Sequence, residues 1–166
     1  MTSRPNRELR LIDLLGALEV AGLEFLVFGA VAGALHGHVR ATVDLDVVVR
    51  PIASNLRRLT DWLQADGARL ALNPDRAFGE EQARAVLDGA NATVLTSLGQ
   101  LDAIQRLPGL APWEQLAERA QRYEIDGREL RVVDRATLIA RKRARATAQD
   151  LVDADALGAL EEDSET

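Results

Sequence analysis

Two aspartates, Asp44 and Asp46, stand two residues apart in the segment ATVDLDVVVR at 41–50. The segment reads as a strand closed by Pro51, and side chains on a strand alternate between faces. Arg40, Thr42, Asp44 and Asp46 then line one side, and Val43, Leu45, Val47 and Val49 pack on the other. At ~3.3–3.4 Å rise per residue the two carboxylates lie about 7 Å apart by Cα and converge on one cleft. Hard oxygen donors of this kind suit Mg²⁺, which keeps waters and takes further oxygens from a substrate phosphate. D-x-D alone is also the pattern of an exposed strand edge, or of carboxylates paired with arginines.

The upstream segment bears on that choice. Glu24 to Phe28 (EFLVF) reads as a buried strand that runs into Gly29, and the small residues from Ala30 to Leu35 form a short helix. A helix entered through glycine offers backbone N–H groups and a positive dipole end to an anion. A phosphate held at Gly29-Ala30 would lie beside metal held by Asp44 and Asp46, with Arg40 in reach of a phosphate oxygen. Gly29, Gly33 and Gly37 have a plainer reading as packing and turn glycines. Bridging two metals and activating a hydroxyl takes a third carboxylate. Asp102, in LDAIQRL after a turn at 97–99, is the candidate, with an ordinary edge carboxylate as the alternative.

A further candidate emerges from composition. The 20 basic residues comprise nineteen arginines and one lysine, Lys142, and alanine occupies 27 positions. Both biases fit a high-GC coding background, in which a generic surface lysine drifts to arginine. A retained lysine marks a place for a compact ammonium, or is chance survival on a solvated helix face.

The elements that must position these groups follow from hydrophobic spacing. Helices are expected at 6–20, 53–66, 79–88 and 112–121, with two more closing the chain. Ala92 to Thr96 and Gln100 to Gln105 read as paired strands. Tyr123 to Ile125 and Glu129 to Val133 form a hairpin around Asp126-Gly127. Asp134 is a helix N-cap, and Thr147 to Asp150 has the form of a capping box. Strand pairs mixed with helices give an α+β class: a mixed β-sheet flanked by helices, one domain over 1–160, with a frayed acidic tail at 161–166.

At 166 residues the chain can bury a real core, and 47% hydrophobic with 28% charged residues exclude wholesale disorder. No cysteine and two histidines exclude disulfides, thiolate metal sites, a cysteine nucleophile and a histidine-rich zinc site. No apolar run has the length of a membrane span, and the first ten residues lack a signal-peptide core, so a soluble cytoplasmic protein is expected. The net charge of −6 argues against a nonspecific DNA coat while allowing a local basic cleft.

The stretch FGAVAGALHGHVRATVDLDVVV resembles the first motif of the DNA polymerase β-like nucleotidyltransferase superfamily. Its H-G-x-x-R-x-T-x-D-x-D form is similar to the AbiEii-type bacterial nucleotidyltransferases of toxin–antitoxin pairs. LGQLDAIQRLPG and LIARKRARATAQDLVDADAL look like later stretches of that group, so the resemblance spans roughly residues 23–160. It implies transfer of a nucleoside monophosphate from an NTP with release of pyrophosphate. It implies Asp44, Asp46 and Asp102 as catalytic metal ligands for Mg²⁺. Nucleotide would be held at Gly29, Ala30, Arg40, Thr42, Lys142 and Asp150, the last of which is also the capping residue.

The family's Gly-Gly or Gly-Ser is Gly29-Ala30 here, so a phosphate must be met by backbone N–H groups rather than a hydroxyl. Three further readings follow. The resemblance favours a tRNA end as the acceptor, with a small molecule, as in antibiotic nucleotidyltransferases, as the other choice; the basic run at 141–145 could touch a phosphate backbone, but its better reading is a solvated helix face with Lys142 alone turned inward. A cognate antitoxin is a possible partner. Alternatively, Ala30 marks a catalytically weak relative that acts as a nucleotide-binding or protein-interaction module.

Overall fold

The computed structural model describes residues 8–164, and side chains through residue 160. The expected acidic tail at 161–166 therefore lies largely outside the described residues, although the backbone of the last helix runs to Ser164.

Among the described residues, eight strands form one mixed sheet in the order β4-β3-β5-β6-β2-β1-β8-β7. In chain order these are β1 Phe25–Phe28, β2 Asp44–Val49, β3 Arg69–Leu70, β4 Asn73–Ala77, β5 Ala92–Thr96, β6 Gly99–Ile104, β7 Gln121–Ile125 and β8 Arg128–Val132. Seven helices accompany them among the described residues: α1 Leu11–Val20, α2 Gly29–Leu35, α3 Ala53–Asp66, α4 Glu80–Leu87, α5 Trp113–Arg119, α6 Arg135–Arg145 and α7 Ala148–Ser164. The α+β class expected from the sequence is the one found.

The centre of the sheet positions the chemistry. β2 lies antiparallel to β1 and parallel to β6. The apolar face of β2 is sealed, with Leu45, Val47 and Val49 all buried, and Val48 on the other face is buried too. Leu26 and Val27 of β1 and Leu101 and Ala103 of β6 continue that core. Helical stripes close over it: Leu14, Leu15 and Leu18 from α1, Leu56, Leu59 and Leu63 from α3, and Leu138 from α6.

Local signals terminate the elements as their chemistry requires. Asp126 and Gly127 both take positive φ, 51° and 73°, the turn that matches the twist of the β7–β8 hairpin. Asp134 caps α6 by accepting from Thr137 N–H at 3.0 Å. At α7, Asp150 N–H donates to Thr147 Oγ1 at 3.1 Å, while Thr147 N–H reaches Asp150 Oδ2 at 3.4 Å.

Three sequence expectations need correction. The first helix begins at Leu11, not at residue 6: residues 8–10 are non-helical, and Arg10 N–H goes to Leu98 O at the β5–β6 turn instead. The central strand begins at Asp44, not Ala41, so Arg40 and Thr42 sit on the preceding loop. The Thr42 hydroxyl donates to Asp44 O at 3.0 Å, a local bond that competes with strand pairing. Finally, β3 and β4 occupy a stretch that carried no strand signal.

Candidate active site

The parallel pairing of β2 with β6 aligns Asp46 with Asp102 and Asp44 with Gln100. Residues in register on neighbouring strands share a face. One oxygen each from Asp44, Asp46 and Asp102 falls within 4.8 Å of the others, and all three side chains are half-buried. Burial pushes the Asp46 carboxyl up to about 7, and the neighbouring charges of Asp44 and Asp102 add to the rise. Asp44 is also raised, first by burial and then by the charge of Asp102. The three carboxylates repel one another, and the Thr42 hydroxyl and the charge of Arg40 at Asp44, with that of Arg145 at Asp46, offset the rise of those two only in part. They form a hard-oxygen cluster that could hold a divalent cation.

Gly29 opens α2 directly against this cluster. Its φ is +62°, and a Cβ added there would stand 2.0 Å from Asp46 Oδ2. Only glycine allows the Asp46 carboxylate to lie against the junction of β1 and α2.

The cluster opens into a cavity of about 410 Å³. Gly29, Ala30, Arg40, Asp44, Asp46, Asp102, Lys142 and Asp150 all line it, so eight of the nine residues singled out in the sequence converge. Thr42 does not line the cavity. It serves Asp44 from behind, its hydroxyl 3.2 Å from Asp44 Oδ1. β5 and β6 supply Ala92, Thr93 and Ile104 to the cavity wall, with Asn91 and Leu107 from their flanking loops, and α6 closes the far side with Leu138, Arg141 and Arg145.

The cations are not loose. Lys142 Nζ lies 2.9 Å from Asp153 Oδ2, and its side chain is only 12% exposed. Arg145 grips Asp150 with two bonds, 2.7 and 3.0 Å, and Arg141 Nη1 donates to Pro108 O at 2.9 Å. The basic run at 141–145 is therefore not a free helix face with Lys142 alone turned inward. Asp150 is buried and has the capping role. Burial works against its charge, but Arg145 and Thr147 together hold its carboxyl below the usual range.

Sequence reading missed Asp153. It is fully buried and collects Lys142, His38, Arg40 and Gln149. Burial opposes its charge, yet the bonds from Lys142, His38 and Gln149 hold it well below the ordinary carboxylate range. A signal existed: Asp150, Asp153, Ala154 and Leu157 share one helical face, and all four are buried. A carboxylate on a core stripe must have partners.

No family model matches the chain, and no curated protein matches it in sequence. Solved structures do match in fold. The lincosamide antibiotic adenylyltransferase LnuA, with lincomycin bound, superposes with a TM-score of 0.61 at 14% identity, covering 91% of this chain and 96% of its own. ANT(2″)-Ia in complex with adenylyl-2″-tobramycin gives 0.56 at 14% identity, covering 93% and 89%. An antigenic nucleotidyltransferase-like protein from Paracoccidioides brasiliensis gives 0.57 at 13% identity, covering 92% and 75%. These likenesses show that the chain has the fold of nucleotidyltransferases.

Proposed function

We propose that the protein is a Mg²⁺-dependent nucleotidyltransferase that moves a nucleoside monophosphate from an NTP to an acceptor hydroxyl. The single observation that carries this reading is the clustering of Asp44, Asp46 and Asp102 oxygens within 4.8 Å at one end of a cavity that also holds Arg40 and Lys142. The donor set fits a hard divalent ion, and the raised Asp46 and Asp44 carboxyls are those of groups that an ion would relieve. When bound, Mg²⁺ supplies charge neutralisation at the transferring phosphate.

The chain's own residues do the rest. Gly29 and Ala30 present backbone N–H groups to the phosphates, and Arg40 and Lys142 offset their charge. Asp102 accepts the acceptor's proton as its oxygen attacks the α-phosphorus and pyrophosphate leaves. The work is positioning and electrostatics, with no covalent enzyme intermediate. Asp150 contributes from the rim by fixing Arg145, and Thr42 by fixing Asp44. The protein would act in the cytoplasm, where NTP and Mg²⁺ are plentiful.

For the acceptor we favour a small hydroxyl-bearing molecule. Two observations support this: the basic run at 141–145 spends three of its four charges on internal partners, and the fold likeness spans nearly the whole of LnuA and ANT(2″)-Ia. The H-G-x-x-R-x-T-x-D-x-D motif favours a second reading, an AbiEii-type toxin that modifies a tRNA end and is silenced by an antitoxin. Growth arrest on expression, relieved by Asp44→Asn, would favour the second.

The experiment that tests the activity incubates the protein with Mg²⁺, each labelled NTP, total cell RNA and a panel of hydroxylated small molecules. Label transfer is expected for the wild type and none for Asp44→Asn combined with Asp46→Asn. Undiminished transfer by that double variant would sink the proposal. Tight Mg-NTP binding without turnover by the wild type would instead favour the catalytically weak reading prompted by Ala30.

A further inference from the structure

Asp153 divides its two oxygens between two tasks. Oδ1 takes His38 Nε2 at 3.0 Å and Gln149 Nε2 at 2.7 Å. Oδ2 takes Lys142 Nζ at 2.9 Å and Arg40 Nε at 3.3 Å. The first pair ties the carboxylate to the α2–β2 loop and to its own helix. The second pair are cations that line the cavity, brought from two segments 102 residues apart in sequence. The ion pair to Arg40 is made at Nε, and its two Nη groups make no hydrogen bond among the described residues. Lys142 gives one of its three N–H groups to Asp153 and retains two. A carboxylate meant only to neutralise these cations would take the guanidinium fork.

We infer that Asp153 is a positioning residue that holds Arg40 and Lys142 at a fixed separation with donors free for the phosphates of a nucleoside triphosphate. This inference rests on the nucleotidyl-transfer reading above. It adds a residue that touches no substrate and acts through two that do. A long, flexible lysine and an arginine on a loop lose rotamer freedom when they bind an anion, and holding them beforehand removes that cost from binding.

The test is calorimetric titration of inorganic tripolyphosphate with Mg²⁺ into the full chain, run well below each variant's melting temperature. Asp153→Asn keeps the shape and removes the charge. It should weaken tripolyphosphate binding about tenfold, the loss of roughly one charge-assisted bond's worth of order. In the transfer assay it should raise the nucleotide KM by a similar factor and leave the acceptor KM unchanged. Lys142→Gln should weaken binding too, and the double variant should be worse than Lys142→Gln alone by less than the full Asp153→Asn factor, because Asp153 acts partly through Lys142 and partly through Arg40. A carboxylate with a merely structural role would lower the melting temperature and the active fraction while leaving both KM values in place. That result overturns the inference, as does binding within twofold of wild type or multiplying effects in the double variant. If Asp153→Asn does not fold, Gln149→Met removes one anchor of Oδ1 at an exposed position. It should weaken binding about threefold, and unchanged binding overturns the inference. Wild-type protein that binds tripolyphosphate but transfers no label defeats the activity reading and leaves this one standing; wild type that binds none defeats both.

Discussion

At the scale of single residues, two groups have properties that only make sense together. Asp46 carries a proton more tightly than a free carboxylate, and Gly29 leaves it room to lie against the chain. The sign of the pH effect follows. In the folded metal-free protein Asp46 has its carboxyl raised to about 7, above the ordinary 3.8. The folded state therefore binds the proton more tightly than the unfolded chain does. The stability that Asp46 contributes is present at low pH and falls as pH rises from about 4 through 7. A metal ion must displace that proton, so Mg²⁺ or Mn²⁺ affinity should rise over the same window and level off above it. Calorimetric metal titrations at pH 5.5, 6.5 and 7.5 check this, and affinity independent of pH would contradict it. Gly29→Ala makes the complementary prediction. Left-handed backbone costs a residue with a Cβ roughly 1–2 kcal/mol, and here the new carbon also meets Asp46 Oδ2 at 2.0 Å. The variant should fold with a lower melting temperature, yet lose metal binding and label transfer far beyond what its stability loss explains.

At the scale of elements, α6 and α7 do the closing. β2 and β6 bring the carboxylates, but every cavity cation except Arg40 comes from α6, and α7 fixes two of them through Asp150 and Asp153. The start of α7 is thus both a helix cap and the rim of the site. Thr147→Val removes the hydroxyl that accepts Asp150 N–H and bonds its carboxylate at 2.6 Å. It should cost about 1 kcal/mol by denaturant unfolding, as lost caps do, and raise the nucleotide KM more than it lowers kcat. Unchanged KM would separate the cap from the site. Much of this arrangement was legible beforehand. Val, Leu and Asp alternating at 43–49 announce a strand with one wet face, Asp126-Gly127 announces a hairpin, and α3 was readable to the residue from Leu56, Leu59 and Leu63. The β3–β4 hairpin was not, because Arg69, Asn73, Pro74, Asp75 and Arg76 have no apolar alternation; β3 is held by pairing with β5 far along the chain, and β4 by pairing with β3. Asp153 was obscured by its acidic neighbours Asp150 and Asp155, and only the burial stripe of α7 tells it apart. Lys142 stood out by composition, but its partner lay on another helix, where spacing does not reach.

For the whole molecule, the deciding quantity is charge. The cavity wall carries Asp44, Asp46, Asp102 and Asp150 against Arg40, Arg141, Lys142 and Arg145, so it is balanced, and Asp153 behind it tips the region negative. The chain as a whole stands at −6. A triphosphate brought to such a place meets three carboxylates before it meets a net attraction, so the protein alone should bind it weakly. Removing Mg²⁺ with a chelator should weaken nucleotide binding by about a hundredfold or more, roughly 2.7 kcal/mol. The same charge distribution separates the two acceptor readings. A tRNA end docks through phosphates, and a protein that neutralises six or more of them loses ~10³-fold or more in affinity between 50 and 200 mM salt. With three of the four cations at 141–145 turned to internal partners and a net charge of −6 on the chain, the cavity offers few free cations for that task. A small acceptor bound by hydrogen bonds and shape feels salt little. Measured at saturating Mg-NTP over that range, the acceptor KM should change by less than about threefold. A steep rise would restore the tRNA end as the acceptor, and would place the phosphate contacts on surfaces other than the basic run.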